Sequence, residues 1–199
     1  MLTLLNESIK LQSDLITLAP LQIEHQHDLA AAVEDGKLWE LWFTSVPTGD
    51  GVLKYIETAL QEQAHMKSIP FAVIDNKTQK AIGSTRYCNI DRNNRRLEIG
   101  YTWYAASYQK TSVNTQAKLL LLTHAFEQLG VIAVEFRTNW HNHVSRQAIS
   151  RLGAKQDGVL RNHIIMADGT LRDTVIFSIT DQEWPAVKKN LEYKLSRYT

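Results

Sequence analysis

Leu119-Leu120-Leu121-Leu122 stand inside a helical pattern that runs from Val113 to Gln128. Four leucines in a row make that helix apolar on more than one face, so it is predicted to be largely buried. A strand pattern, Leu97 to Trp103 (LEIGYTW), leads into it through one short polar loop, Tyr108 to Asn114. Past Gly130, Val131 to Asn139 (VIAVEFRTN) reads as a buried strand. Strand, crossover helix and strand imply a locally parallel or splayed pairing. The loop falls at a helix N-terminus, where unpaired N–H groups and the helix dipole favour a phosphate.

The flanking chain supplies the rest of a sheet. Ile9 to Leu21 reads as one or two strands, closed by Pro20. Glu24 to Asp35 is a helix pattern stopped at Gly36, and Val52 to Met66 is a second amphipathic helix. Between them Leu38, Trp39, Leu41, Trp42 and Phe43 form a short aromatic segment. Most of these rings are expected in the core, with one or two, such as Trp39 and Trp42, lining a pocket. Ile69 to Asp75, Lys80 to Cys88 and Arg95 to Trp103 make an antiparallel meander with polar turns. After the central helix come a short helix, His143 to Arg151, two strands, Ala154 to Arg161 and Arg172 to Ile179, and a helix from Asp181 to Tyr198 opened by Asp181.

Composition excludes several functions. The net charge of +1 gives no electrostatic case for nucleic-acid binding. Cys88 is the single cysteine, which rules out an internal disulfide and a multi-cysteine zinc site. His141 and His143 flank Asn142 without nearby cysteine or carboxylate, so no metal is expected. No apolar run approaches the roughly 20 residues of a membrane span. The first residues lack a basic start before an apolar core, and the expectation is a cytoplasmic protein. The 199 residues suit one domain, 1–199.

The order β–α–α–β–β–β–α–β–α–β–β, with LEIGYTW, NTQAKLLLLTHAFEQLG, NHVSRQAISRLGA and DGTLRDTVIFSITDQEW, resembles the GNAT acetyltransferase superfamily. The likeness is greatest to its RimJ/RimL-like branch of ribosomal-protein N-terminal acetyltransferases. It implies an α/β (α+β) acyl-CoA N-acyltransferase fold: a mixed central sheet with a splayed strand pair and helices on both faces. It further implies acetyl transfer from acetyl-CoA to an amine, either a protein N-terminus or a small molecule. No metal or membrane is implied, and a homodimer is a family expectation. A non-catalytic acyl-CoA-binding or regulatory module is the alternative.

In that superfamily the pyrophosphate loop reads Gln/Arg-x-x-Gly-x-Gly/Ala. The matching residues here are Gln109, Lys110, Thr111, Ser112, Val113 and Asn114, with Ser112 and Asn114 in the glycine positions. Glycine there lets backbone approach phosphate and take positive φ. Serine fits if its φ stays negative, and asparagine tolerates left-handed backbone. The resemblance assigns thioester polarisation to backbone N–H groups of Tyr101, Thr102 and Trp103. It assigns the pantetheine contact to Asn142 and protonation of the leaving thiolate to Ser145; a helix cap and a packed first turn are the structural alternatives. Strand alternation places Glu98, Gly100 and Thr102 on one face and Leu97, Ile99 and Tyr101 on the other. Glu98 is a candidate base or amine anchor, or else an ion-pair partner of Arg86. The second catalytic acid of the resembling enzymes falls near Ile164. His163, adjacent, replaces it as base only if its strand is bulged. Asp173 either orients substrate or braces the final hairpin.

Overall fold

The computed structural model describes residues 9–198; residues 1–8, part of the stretch read for a leader, lie outside them. The strands are β1 Leu11–Gln12, β2 Ile16–Pro20, β3 Ser68–Asp75, β4 Ala81–Asp91, β5 Arg96–Tyr104, β6 Ala133–Asn139, β7 Lys155–Ile165 and β8 Leu171–Thr180. They form one sheet in the order β1-β2-β3-β4-β5-β6-β8-β7. The helices are α1 Gln26–Glu34, α2 Val52–Ala64, α3 Val113–Thr123, α4 His143–Leu152 and α5 Trp184–Leu195. A π-helical turn, His124–Gln128, extends α3. The predicted element order holds throughout. The last helix differs at its start: it opens at Trp184 with Glu183 in the cap position and Pro185 in its first turn, and Asp181 precedes it. Pro185 explains this, since its missing N–H is no loss in a first turn.

Two cores lie on opposite faces of the sheet. The larger joins Leu97 and Ile99 of β5, Val134 and Phe136 of β6, and Val175, Phe177 and Ile179 of β8 to Leu121 and Leu122 of α3 and Leu191 of α5. The smaller joins Leu29 and Val33 of α1 and Ile56 of α2 to Ala72, Ala81 and Trp103. Of the leucine run of α3, Leu121 and Leu122 are fully buried, and Leu119 and Leu120 are partly buried against the same core. By the two-residue period of β-strands, Glu98, Glu135, Arg137, Asn139, Arg172 and Thr174 face the side of α1 and α2. On β6 and β8 that face contributes to neither core.

The aromatic segment after α1 departs from expectation. Leu38 is buried and Trp39 packs against the smaller core, but Leu41 is 46 % and Trp42 58 % exposed. Helix α1 ends at Glu34, Gly36 with φ +95° then turns the chain away, and only a short 3-10 turn, Leu38–Glu40, follows. That leaves too little regular structure to turn every ring inward.

β5 carries the decisive irregularity. Ser84 pairs with Trp103 and Arg86 with Gly100, so one extra residue is inserted in β5 between Gly100 and Trp103. Tyr101 takes the strain, with φ +52°. The expected alternation fails at this bulge. Tyr101 lies on the Glu98 face, with its ring 4.0 Å from the Arg86 guanidinium, and Thr102 turns to the α3 face. A β-bulge offsets the register by one, which exchanges the faces beyond it.

The two strands also run unusually close here. A Cβ on Gly83 would lie 2.2 Å from the Trp103 carbonyl oxygen and 2.9 Å from Tyr104 Cα. Gly83→Ala is expected to cost about 1–3 kcal/mol, as overpacking against backbone does. Urea unfolding reads this directly, and an unchanged midpoint would mean that the bulge tolerates wider strand spacing.

Candidate active site

The site begins where β5 and β6 part. They pair in parallel through three positions only, Arg96 with Ala133, Leu97 with Val134 and Glu98 with Glu135. From Ile99 onward the β6-facing edge of β5 has no strand partner, while β6 continues to Asn139 along β8. The opening is thus a V, with Glu98 at its closed end and the bulge on one arm. The bulge is held from both faces. On the α2 side, Arg86 sits between the Tyr101 ring and the Tyr55 ring, 5.0 Å away, and donates to Glu62 Oε2 at 2.8 Å. On the α3 side, Lys118 Nζ donates to Thr102 Oγ1 at 2.6 Å, and Thr102 shares a 2.8 Å hydrogen bond with Thr85.

Glu98 does not pair with Arg86, whose register partner is Gly100 and whose ion pair is Glu62. Its Oε2 accepts from Asn89 Nδ2 at 2.7 Å and lies 3.4 Å from Arg137 Nε. Its Oε1 has no hydrogen-bond partner among the described residues and lies 3.1 Å from where a Cβ of Gly100 would stand. One oxygen is anchored, and the other points along β5 into space that Gly100 leaves open. Burial pushes the Glu98 carboxyl above its ordinary value, while Asn89 and Arg137 pull it back. An alternating chain of charge continues from it: Arg137 pairs with Glu135 at 3.0 Å, and Glu135 with Arg96 at 2.6 Å.

Below the open mouth of the V lies the loop into α3. It is tied down through Ala106 N–H to the Asp35 carbonyl, Ser107 N–H to Asp35 Oδ2, and Tyr108 OH to Asp75 Oδ2. Gln109 Nε2 donates to the Tyr104 carbonyl, and Thr111 Oγ1 to the Tyr108 carbonyl and in turn accepts from Val113 N–H. The N–H groups of Ser112 and Asn114 find no acceptor among the described residues. The left-handed residue is Lys110, φ +59°. Ser112 has φ −70°, and Asn114 lies within α3, its Oδ1 accepting from Tyr104 OH at 3.3 Å. The two non-glycine positions therefore require no glycine. Free N–H groups at a helix start, with a lysine beside them, fit the diphosphate of acetyl-CoA; Gln109, Lys110, Thr111, Ser112, Val113 and Asn114 are the residues that would hold it.

At the other arm of the V, Asn142 caps α4, its Oδ1 accepting from Ser145 N–H at 3.0 Å. The Ser145 hydroxyl makes no hydrogen bond among the described residues. β7 is bulged between Leu160 and Ile164, with Asn162 at φ +49°. This is the irregularity that brings the ring of His163, itself an exposed residue, against β8, its Nδ1 3.1 Å from Thr174 Oγ1. Asp173 is not brought into the V: its carboxylate receives Arg161 Nε at 2.5 Å and Asn162 N–H at 2.8 Å, bracing that bulge. Trp39 stays on the smaller core, and the Trp42 ring reaches the His141 ring, 5.3 Å between centroids, above the β6–α4 turn. Burial drives the Cys88 thiol far up, so it is not a nucleophile. Among the described residues no group of three His, Cys, Asp or Glu side chains converges as metal ligands, and no helix is long and apolar enough to cross a membrane. Sequence reasoning missed Asn89, Arg137, Asn139, Arg172 and Lys118. A lysine inside an otherwise apolar helix was the one visible signal among them.

A mixed sheet with one splayed parallel pair, a helix start tied to the end of β5 at Tyr104 and a half-free carboxylate at the apex defines an acyl-transfer fold. The model of the acetyltransferase (GNAT) domain matches residues 16–155, and the chain belongs to that family. The family is one of acetyltransferases, and acetyl-CoA is its co-substrate. YdaF of Bacillus subtilis (strain 168), which carries the provisional name of a ribosomal N-acetyltransferase, is 33 % identical over 100 residues; these are 50 % of this chain and 54 % of YdaF. The chain thus spans about half the length of that curated relative. A GCN5-related N-acetyltransferase from Brucella melitensis superposes with TM-score 0.85 and 30 % identity over 94 % of this chain and 86 % of its own. The microcin C7 self-immunity acetyltransferase MccE, solved with acetyl-CoA and AMP, shares the fold at TM-score 0.73 and 20 % identity, over 84 % of this chain and 93 % of its own.

Lys118 gives this site a stability signature. Burial without a carboxylate partner pulls its pKa down to about 7. A lysine whose folded pKa is lowered penalises folding fully below that value, and the penalty is relieved as pH rises toward its unfolded pKa of about 10.4. Stability is expected to rise across that window, with a slope from this group of up to about 1.4 kcal/mol per pH unit. Lys118→Met should remove the slope, which urea titrations at several pH values will detect.

Proposed function

We propose that the protein transfers an acetyl group from acetyl-CoA directly to a primary amine, the α-amine of a protein N-terminus or of a small molecule. The observation that carries this reading is the V between β5 and β6. It combines unsatisfied N–H groups at its mouth, an unpaired β5 edge along one arm and the free Oε1 of Glu98 at its apex. Acetyl-CoA, when bound, supplies the activated acetyl thioester.

Each group then has a task. The loop from Gln109 to Asn114 holds diphosphate, and Asn142 meets the pantetheine arm at the start of α4. Backbone N–H groups of Tyr101 to Trp103, held by the bulge, donate to the acyl oxygen as it gains charge. Glu98 Oε1 takes the proton of the attacking amine, directly or through water. Its raised pKa brings it closer to that role, and the anchored Oε2 keeps the carboxylate aligned. A polar groove of about 590 Å³, lined in part by Asn89, Arg96, Glu135 and Arg137, opens beside it and offers the proton a path to water. The Ser145 hydroxyl, uncommitted to the fold, donates its proton to the departing sulfur. His163 is the second candidate base, on the far wall.

Glu98→Gln is expected to lower kcat by about 10²–10⁴, the span of general-base contributions, with acetyl-CoA affinity little changed. Activity requires the ionised carboxyl, so the wild-type rate falls as pH drops through a value above the ordinary carboxylate range. The variant should lack that acid limb. Thiol release followed across pH tests both, and an unaltered profile in Glu98→Gln moves the base to His163. Ser145→Ala should depress kcat and leave acetyl-CoA binding intact; equal rates would return Ser145 to a helix-start role.

A further inference from the structure

The open face beside Glu98 holds an imbalance. On β5, β6 and β8 five charged side chains share it: Arg96, Glu135, Arg137 and Glu98 form the alternating chain described above, and Arg172 is the fifth; at its borders Arg86 is paired with Glu62, and Asp157 accepts from Ser178 Oγ. Three guanidinium groups thus stand against two carboxylates. Arg172 is the one left over. It is half-buried, and it forms no ion pair among the described residues, although Glu98 and Tyr101 lie near enough for their charges to act on it. Its Nε is buried without a hydrogen-bond partner among the described residues. Burial also lowers its pKa, which marks a cation with little compensation.

A second orphan lies beside it. Asn139 is 2 % exposed, and its Oδ1 accepts from His141 N–H, but its Nδ2 has no partner among the described residues. Asn139 pairs with Thr174, two residues from Arg172 on β8, so the two side chains are diagonal neighbours on one face. Buried donors without acceptors are uncommon and costly, about 1–3 kcal/mol each and more for charged groups. Arg86 Nε and Arg96 Nε are also unpartnered among the described residues, but their guanidinium groups are ion-paired; the two at Arg172 and Asn139 stand side by side, one of them on an uncompensated guanidinium, and describe a receptor for an oxygen anion. Planar guanidinium matches a carboxylate in particular. The other occupants of the face do not fill this need: Glu98 and Glu135 are already shared by Arg137 and Arg96, and Asp173 is committed to Arg161 and Asn162.

We infer that Arg172 and Asn139 bind a carboxylate of the acceptor, so that the substrate is an amine carrying a carboxylate close to its amino group. This rests on the acetyl-transfer reading above. A carboxylate at Arg172 would offset the surplus guanidinium charge of the face, and the acceptor's amine, neutral once Glu98 has taken its proton, adds no charge of its own. The carboxylate has two sources, the α-carboxylate of a free amino acid or an acidic first side chain on a polypeptide.

Paired ligands separate these. Calorimetry on the protein saturated with CoA, which cannot acetylate, compares leucine with leucinamide and Asp-Ala-amide with Asn-Ala-amide. At least one acid is expected to bind about tenfold or more tightly than its amide, a difference of about 1.4 kcal/mol. The pair that shows it identifies the source. Arg172→Gln should erase the preference while CoA affinity and melting temperature hold, and Arg172→Lys should keep part of it. Equal or undetectable binding of acid and amide in both pairs, or a preference that survives Arg172→Gln, overturns the assignment. Amine acetylation without acid preference would sink this inference and leave the proposed function standing. Acid preference without acetylation of any amine would do the reverse.

Discussion

One extra residue in β5 decides the geometry of everything around it. A regular antiparallel strand would have kept Tyr101 with Leu97 and Ile99 in the large core and left Thr102 beside Glu98. The insertion instead brings Tyr101 over Arg86 and sends Thr102 to Lys118. A tyrosine at positive φ is strained by on the order of 1–2 kcal/mol, and such strain persists only where surroundings over-determine it. Here they do so from both faces. Arg86, sandwiched by two tyrosine rings and paired with Glu62, fixes one side. The Lys118–Thr102–Thr85 contact fixes the other. Gly83 lets β4 approach the displaced backbone. The same bulge bends β5 just past its last contact with β6, so the parting of the strands and the strained turn are one feature.

The closed end of the V shows how a carboxylate can be fixed and still available. Buried and alone, Glu98 would take up a proton near neutral pH; fully paired, it would be inert. The chain Arg96–Glu135–Arg137–Glu98 occupies one oxygen and leaves the other. Arg137 is shared between two carboxylates, which limits how strongly it depresses either. The glycine at position 100 is what keeps the free oxygen uncovered, since any side chain there would press on it and on Cys88 Sγ, 3.1 Å away.

Much of the fold was legible because its signals are periodic and local. The leucine run of α3, the three-strand meander and the glycines after α1, α3 and α4 each fix an element by short-range chemistry. The interactions across the site were not. Arg86 and Glu98 sit on adjacent strands and look like partners, but pairing depends on register, and the register places Cys88 opposite Glu98. The bulge itself leaves no mark in LEIGYTW. Its sign is distributed among Gly83, Lys118 and Arg86, which are remote in sequence. The bulge in β7 is equally silent, and with it the turn of His163 toward Thr174. Arg172 escaped notice for a related reason: an arginine on a hairpin strand is unremarkable until its partners are counted in three dimensions.

The coenzyme loop turns the same lesson around. Ser112 and Asn114 stand where the resembling enzymes carry glycine or, at the second position, alanine. Glycine is needed only where φ is positive or backbone must pass unusually close. In this chain the left-handed turn falls at Lys110, before either position, and Ser112 and Asn114 are already helical. The strain of a non-glycine residue at φ +59° is then borne by a side chain that ends in a cation, next to the place where the proposed reading puts two phosphates. Asn114 uses its side chain to accept from the buried Tyr104 hydroxyl and leaves its own N–H unpaired among the described residues. The substitutions therefore remove the conformational freedom that glycine would bring to the loop while leaving the N–H groups of the helix start free, so a motif that departs from its family in letters can retain its physical means of holding an anion.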